Sequence, residues 1–189
     1  MHIITLPVGE LETNCYILYQ EGREDAVIID PGADADMIQK ALDSRAVAAV
    51  LLTHGHFDHT GALYAFADRP IYIHNQDAAM LSDSHFNFGM MMGDTKKRPS
   101  ATDSLAEGQV LHLAAIRFTV LHTPGHTRGS VCFKVDEDIF TGDTMFKGDY
   151  GRTDLPGGSM EDMRASLRRL FSLKGCTIHP GHGPLDIIR

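Results

Sequence analysis

Cysteine is scarce in this chain. Cys15, Cys132 and Cys176 are odd in number, far apart and each set in an apolar segment. That pattern excludes a disulfide framework and a structural zinc knuckle, and reads as reduced core thiols of a cytoplasmic protein. Basic charge is also in short supply. Seventeen Lys and Arg stand against 25 Asp and Glu, a formal net charge of −8, which disfavours a sequence-independent grip on nucleic acid or on an anionic membrane. No apolar run approaches ~18 residues and no charged-then-apolar signal opens the chain, so neither spanning nor export is expected. No repeat, low-complexity tract or linker breaks the sequence. Residues 1–189 are expected to form one domain with a full core.

What is present is an alternation of apolar strands and amphipathic helices. His2 to Val8 and Thr13 to Gln20 read as a hairpin, and Ala26 to Ile29 as a buried strand stopped by Asp30-Pro31-Gly32. Ala35 to Leu42 carries apolar residues at helical period. Val47 to Leu52 is a strand, and Ala62, Leu63, Ala65 and Phe66 predict a helix starting in the run between them. A strand at Ile71 to His74 precedes a short helix over Gln76 to Leu81. Ser82 to Leu105 shows no regular pattern, and a loop of that length is usually functional. From Gln109 the pattern is β, with runs at Val110 to Leu113, Ile116 to Leu121, Val131 to Val135 and Ile139 to Thr141. Met160 to Leu173 predicts an amphipathic helix with Met163, Leu167, Leu170 and Phe171 on its apolar face. Cys176 to His179 reads as a last strand. Strands and helices in this order imply sheet covered by helices.

One run concentrates the chemistry: Thr53-His54-Gly55-His56-Phe57-Asp58-His59-Thr60-Gly61. His54, His56, Asp58 and His59 are all good metal ligands, and imidazole with carboxylate suits zinc, iron or manganese. Three later residues share the setting of a strand end or tight turn: His126 after Thr123-Pro124-Gly125, Asp143 after Thr141-Gly142, and His182 in Pro180-Gly181-His182-Gly183-Pro184. Seven ligands are too many for one tetrahedral ion. Two ions ~3.5–4 Å apart, with Asp143 bridging, would use them all. His122 alternates with Ile116, Phe118 and Val120 and is read as packed, not ligating; His2, His74, His85, His112 and His179 have no ligand pattern.

These residues, in this order, resemble the metallo-β-lactamase superfamily, together with the strand end at Asp30-Pro31-Gly32. The resemblance covers nearly the whole chain and implies an α/β fold, a four-layer αββα sandwich with metals at one edge between the sheets. It further implies that His54, His56 and His126 hold the first ion, Asp58, His59 and His182 the second, and Asp143 both. A nearer resemblance is to short-type glyoxalase II-like hydrolases, through Gly142-Asp143-Thr144-Met145-Phe146, Gly151-Arg152-Thr153-Asp154-Leu155-Pro156-Gly157-Gly158 and the His182 loop. Seven residues follow His182, leaving no place for the helical C-terminal domain of the long form. Lys and Tyr contacts to glutathione in that form align with Arg152 and Asp154. Arg152 and Phe146 are therefore candidate substrate contacts, Asp154 an opposing charge, and Asp30 a hydrogen-bond acceptor for a ligand imidazole. The best-known zinc β-lactamases lack a counterpart of His59 and place cysteine at Asp143, which disfavours antibiotic hydrolysis.

The reading that follows is a hydrolase with two divalent ions, zinc first and iron or manganese as alternatives. It would act on a small-molecule thioester of the S-acylglutathione class such as S-lactoylglutathione. Paired cations would lower the pKa of a bridging water from ~15.7 towards ~7, with Asp58 as the catalytic residue that takes the proton. The rivals are a persulfide dioxygenase with one iron on two His and one Asp, and a non-catalytic metal-binding protein.

Overall fold

The computed structural model describes residues 1–189. The first sheet holds strands β1 (His2–Val8), β2 (Thr13–Tyr19), β3 (Asp25–Ile29), β4 (Ala46–Leu51), β5 (Ile71–His74) and β6 (Asp103–Leu105), in chain order. The second holds β7 (Val110–Leu113), β8 (Ile116–His122), β9 (Val131–Val135), β10 (Asp138–Gly142), β11 (Thr177–Pro180) and β12 (Asp186–Ile187), again in chain order. Hairpins make β1–β2–β3 and β7–β8–β9–β10 antiparallel. The pairs β3–β4, β4–β5 and β10–β11 are parallel.

Three separate apolar clusters show the layering. Helix α1 (Ala35–Leu42) packs Ile38 and Leu42 on the outer face of the first sheet, against Cys15, Ile17, Ile28 and Val50. Between the sheets Tyr16, Leu18, Ile29 and Leu51 meet Phe118, Val120, Phe133 and Phe140. Helix α3 (Met160–Phe171) lays Leu170 and Leu167 on the far face of the second sheet, over Leu121, Cys132, Ile139 and Ile178. The result is the expected four-layer αββα sandwich. All three cysteines are buried and free. No helix is long and apolar enough to cross a membrane.

Several local expectations are corrected. The helix predicted to run on from the His-rich run is one α turn, α2 (Phe57–Thr60), and a separate 3₁₀ turn, Leu63–Phe66. The Ala62 amide donates to Pro31 O at 2.9 Å, outside the helix, so the hydrogen-bond ladder is broken there. The helix over Gln76 to Leu81 is only the 3₁₀ turn Ala78–Leu81. Within Ser82 to Leu105 lies an unpredicted strand, β6, paired parallel with β5. Phe171, placed on the apolar face of α3, is 55% exposed: as the last residue of the helix it lines an open groove with Ile187 and Ile188. His122 is half-buried and stacks on His74, ring centroids 4.2 Å apart.

Candidate metal centre

The seven predicted ligands meet at one edge of the sandwich, where the ends of β4, β8, β10 and β11 open between the two sheets. His54 and His56 follow β4, Asp58 and His59 lie on α2, and His126, Asp143 and His182 sit in the turns after β8, β10 and β11. Ring nitrogens of His54, His56 and His126 lie within 4.8 Å of one another, and so do the ligand atoms of Asp58, His59 and His182. A third overlapping set, His54, His59 and Asp143, joins the two. Asp143 Oδ1 is 3.3 Å from His59 Nε2, while its Oδ2 is 3.4 Å from His126 Nε2 and 3.6 Å from His182 Nε2. One carboxylate therefore faces both triplets. Gly181 permits this: a Cβ there would stand 2.1 Å from Asp143 Oδ1.

The donor chemistry fits divalent cations. Nε2 of His54, His56 and His59 and Oδ1 of Asp143 are buried with no hydrogen-bond partner, a costly state for polar atoms unless something binds them. His56 Nδ1 and His126 Nε2 are 2.8 Å apart, so their lone pairs need a proton or a cation between them.

The far sides of the rings are held by the protein. His59 Nδ1 meets Asp30 Oδ2 at 2.9 Å, His126 Nδ1 donates to Arg152 O at 2.7 Å and His182 Nδ1 to Leu11 O at 3.0 Å. The Thr53 hydroxyl donates to Asp30 Oδ2 at 2.6 Å and receives His54 Nδ1 at 3.0 Å. Such contacts fix the tautomer that turns the other nitrogen inward.

The electrostatics divide the site. Burial, then the neighbouring imidazoles, pushes His54 well below the usual histidine range, and His56 to about 3. Burial opposes the charge on His59 and His182 as well. There the carboxylates of Asp58 and Asp143 win and raise both above the ordinary value. Burial pushes the Asp58 and Asp143 carboxyls up, yet the surrounding imidazoles, His59 foremost, hold Asp58 well below the carboxylate range and Asp143 at about 2.

A cleft of about 340 Å³ opens over these residues. Its walls are Leu11, Phe57, Phe88, Met92 and Leu155, with Arg152 the one cation among the lining groups. Phe88 and Met92 belong to the irregular stretch Ser82 to Leu105, which thus forms a wall of the cleft. Arg98 anchors that stretch, bonding Asp94 at 2.7 and 3.0 Å and Phe57 O at 3.2 Å. The Arg152 guanidinium is already engaged by Asp154 at 2.7 and 2.8 Å. Phe146 lines a different groove, with Tyr150, Phe171 and Ile187, and touches the centre only edge-on at His182, 6.1 Å between centroids.

Three contributors escaped the sequence reading. The Thr13 hydroxyl donates to Asp58 Oδ2 at 3.0 Å. The Asn14 amide holds Pro180 O and Gly183 O at 3.0 and 2.9 Å, pinning the His182 loop. Asp77 lies 1% exposed behind the His54–His56 segment. The only sequence signal was two polar residues, Thr13 and Asn14, opening an otherwise apolar strand.

The fold and centre define a metallo-β-lactamase-like protein, and comparison agrees: a model of the metallo-beta-lactamase superfamily matches residues 8–182, and the chain belongs to that superfamily. It is 42% identical to an uncharacterized Mycobacterium leprae protein, covering 97% of this chain and 92% of the relative. It is 33% identical to the Haemophilus influenzae hydroxyacylglutathione hydrolase GloC, covering 100% and 93%. Among solved structures, the BLEG-1 B3 metallo-beta-lactamase superposes with a TM-score of 0.94 at 35% identity, covering 99% of this chain and 94% of that one. The TTHA1623 protein in a di-iron-bound form gives 0.87 at 34%, covering 100% and 95%. ETHE1 from Myxococcus xanthus gives 0.79 at 26%, covering 100% and 80%.

Proposed function

We propose that this chain is a dinuclear metallohydrolase that cleaves thioesters, with S-acylglutathiones such as S-lactoylglutathione as the first substrates to try. The observation that carries the reading is the pair of ligand triplets joined by Asp143 at the floor of an apolar-walled cleft. A structural site needs only four closed ligands. The likeness to a protein named hydroxyacylglutathione hydrolase supports the substrate class.

His54, His56 and His126 would hold one ion, Asp58, His59 and His182 the other, and Asp143 both; zinc suits these donors, and iron or manganese also fits. Bound there, two divalent ions supply a water acidic enough to be a nucleophile at neutral pH and a positive site for the developing oxyanion. The protein's part is orientation and proton handling. Asp58, with one oxygen fixed by the Thr13 hydroxyl, lines the cleft and would be the acceptor for the nucleophile's proton. Leu11, Phe57, Phe88, Met92 and Leu155 give the cleft apolar walls on which the non-reacting part of a substrate could lie. Arg152 offers its backbone carbonyl to His126, and its guanidinium, shared with Asp154, stands at the cleft wall.

A second reading, a mononuclear iron persulfide dioxygenase, is favoured by the likeness to ETHE1. The completed second triplet, with His182 held by Leu11 and its loop by Asn14, favours the hydrolase. Purified protein loaded with zinc should hydrolyse S-lactoylglutathione, followed by loss of thioester absorbance. Oxygen uptake with glutathione persulfide by the iron-loaded form, without thioester turnover, would overturn the proposal. A β-lactam belongs in the same panel because of BLEG-1, and its hydrolysis in place of the thioester would do the same.

A further inference from the structure

Asp77 carries no ligand role and lies outside the His-rich run, yet its carboxylate is among the most enclosed in the chain. Its Oδ2 accepts the Gly55 amide at 3.2 Å and the Thr127 hydroxyl at 2.6 Å, and its Oδ1 accepts the Gly129 amide at 2.7 Å. It forms no ion pair with Lys or Arg. Three donors converge on it and no acceptor does, a demand that an acceptor-only carboxylate meets and an amide does not. The loop backbone presses directly on it: a Cβ at Gly129 would stand 2.6 Å from Asp77 Cγ.

The location of the donors gives this its meaning. Gly55 lies between His54 and His56, Thr127 follows His126 directly, and Gly129 stands three residues after it. The two segments so joined carry all three members of the first triplet. None of Asp77's partners carries Asp58, His59 or His182. That triplet is braced instead from the other side, by Leu11, Thr13 and Asn14.

We propose that Asp77 is a positioning residue that sets the distance between the His54–His56 segment and the His126 turn, and so controls occupancy of the first metal position alone. The inference rests on the dinuclear reading above and adds that the two positions have separate supports. Replacing the carboxylate by an amide turns an NH₂ towards donors, so the two segments part and the three imidazoles no longer converge. The second position, with its own brace, keeps its ion.

The test is metal uptake, not turnover. Zinc stoichiometry by mass spectrometry, calorimetric titration and the visible spectrum of the cobalt-loaded protein are compared for the wild type, Asp77→Asn, Thr127→Ala and, as the mirror case, Asn14→Ala. Circular dichroism of the metal-free forms reports folding. Wild type should take up two ions. Asp77→Asn should retain one at wild-type affinity and lose one component of the cobalt spectrum. Thr127→Ala, which removes a single donor, should keep two with one weakened about tenfold. Asn14→Ala should weaken the other ion. Two ions bound at wild-type affinity in Asp77→Asn, or both ions weakened in parallel in Asp77→Asn and Thr127→Ala, overturns the proposal. If Asp77→Asn does not fold, Thr127→Ala decides by the same split. Uptake of a single ion by wild type would end the dinuclear reading; Asp77 would then be judged by that ion, and unchanged affinity in Asp77→Asn would overturn its role.

Discussion

Asp30 Oδ2 stands 2.9 Å from His59 Nδ1, and the same oxygen accepts the Thr53 hydroxyl that meets His54. One buried carboxylate at the end of β3 therefore reaches an imidazole of each triplet, one directly and one through a hydroxyl. Asp30→Ala should lower activity and metal affinity about 10- to 100-fold. Both ions should weaken, in contrast to the one-sided loss expected at Asp77. Calorimetric zinc titration beside turnover measures it, and full retention of both ions would contradict the relationship.

Asp143 faces both triplets with its own carboxylate oxygens. Asp143→Ala should reduce thioester turnover to about 1% or less of wild type, because the reacting water loses its paired setting. The fold should survive, since the side chain lies at the sheet edge and not within an apolar cluster. Steady-state kinetics with a thermal melt separates the two effects. Unchanged turnover would end the dinuclear mechanism.

Protons should compete with metal unequally at the two positions. In the metal-free protein His54 and His56 are held neutral, so a cation displaces no proton from them. His59 and His182 bind protons more tightly than an ordinary histidine. A cation there must expel those protons, so the metal-free state binds more of them and gains as pH falls. Zinc at the Asp58–His59–His182 position should be lost first on acidification, passing through a state with one ion per chain. Stoichiometry measured across pH checks the order. Loss of the other ion first would refute it.

The core between the sheets should govern global stability. Phe133 is fully buried there beside Phe118 and Phe140. Phe133→Ala should cost about 3–5 kcal/mol. A lower urea midpoint with an unchanged slope would confirm that the effect acts on the folded core.

The layers were legible because apolar runs and turn residues alternate cleanly, and the ligands because four of them are adjacent and the other three sit at strand ends. What escaped is set by partners distant in sequence. Asp77 is an undistinguished acid until the His126 turn arrives from 50 residues away to surround it. Strand β6 is only Asp103-Ser104-Leu105, poor in β-forming residues, and exists because β5 presents a free edge. The helix predicted after His59 fails at Ala62 because Pro31 takes its amide. Phe146 was chosen from a shared motif, but its side chain enters the neighbouring groove.

The sequential strand order of the two sheets has a consequence for assembly in time. Residues of β1–β6 and their connections carry His54, His56, Asp58 and His59, while those of β7–β12 carry His126, Asp143 and His182. Each triplet draws two members from the first half of the chain and one from the second. A nascent polypeptide completes the first triplet at His126, gains the shared Asp143 next, and completes the second triplet only at His182. On the dinuclear reading the ions become clasps between sheets made in succession, and the catalyst cannot switch on before His182 has been made.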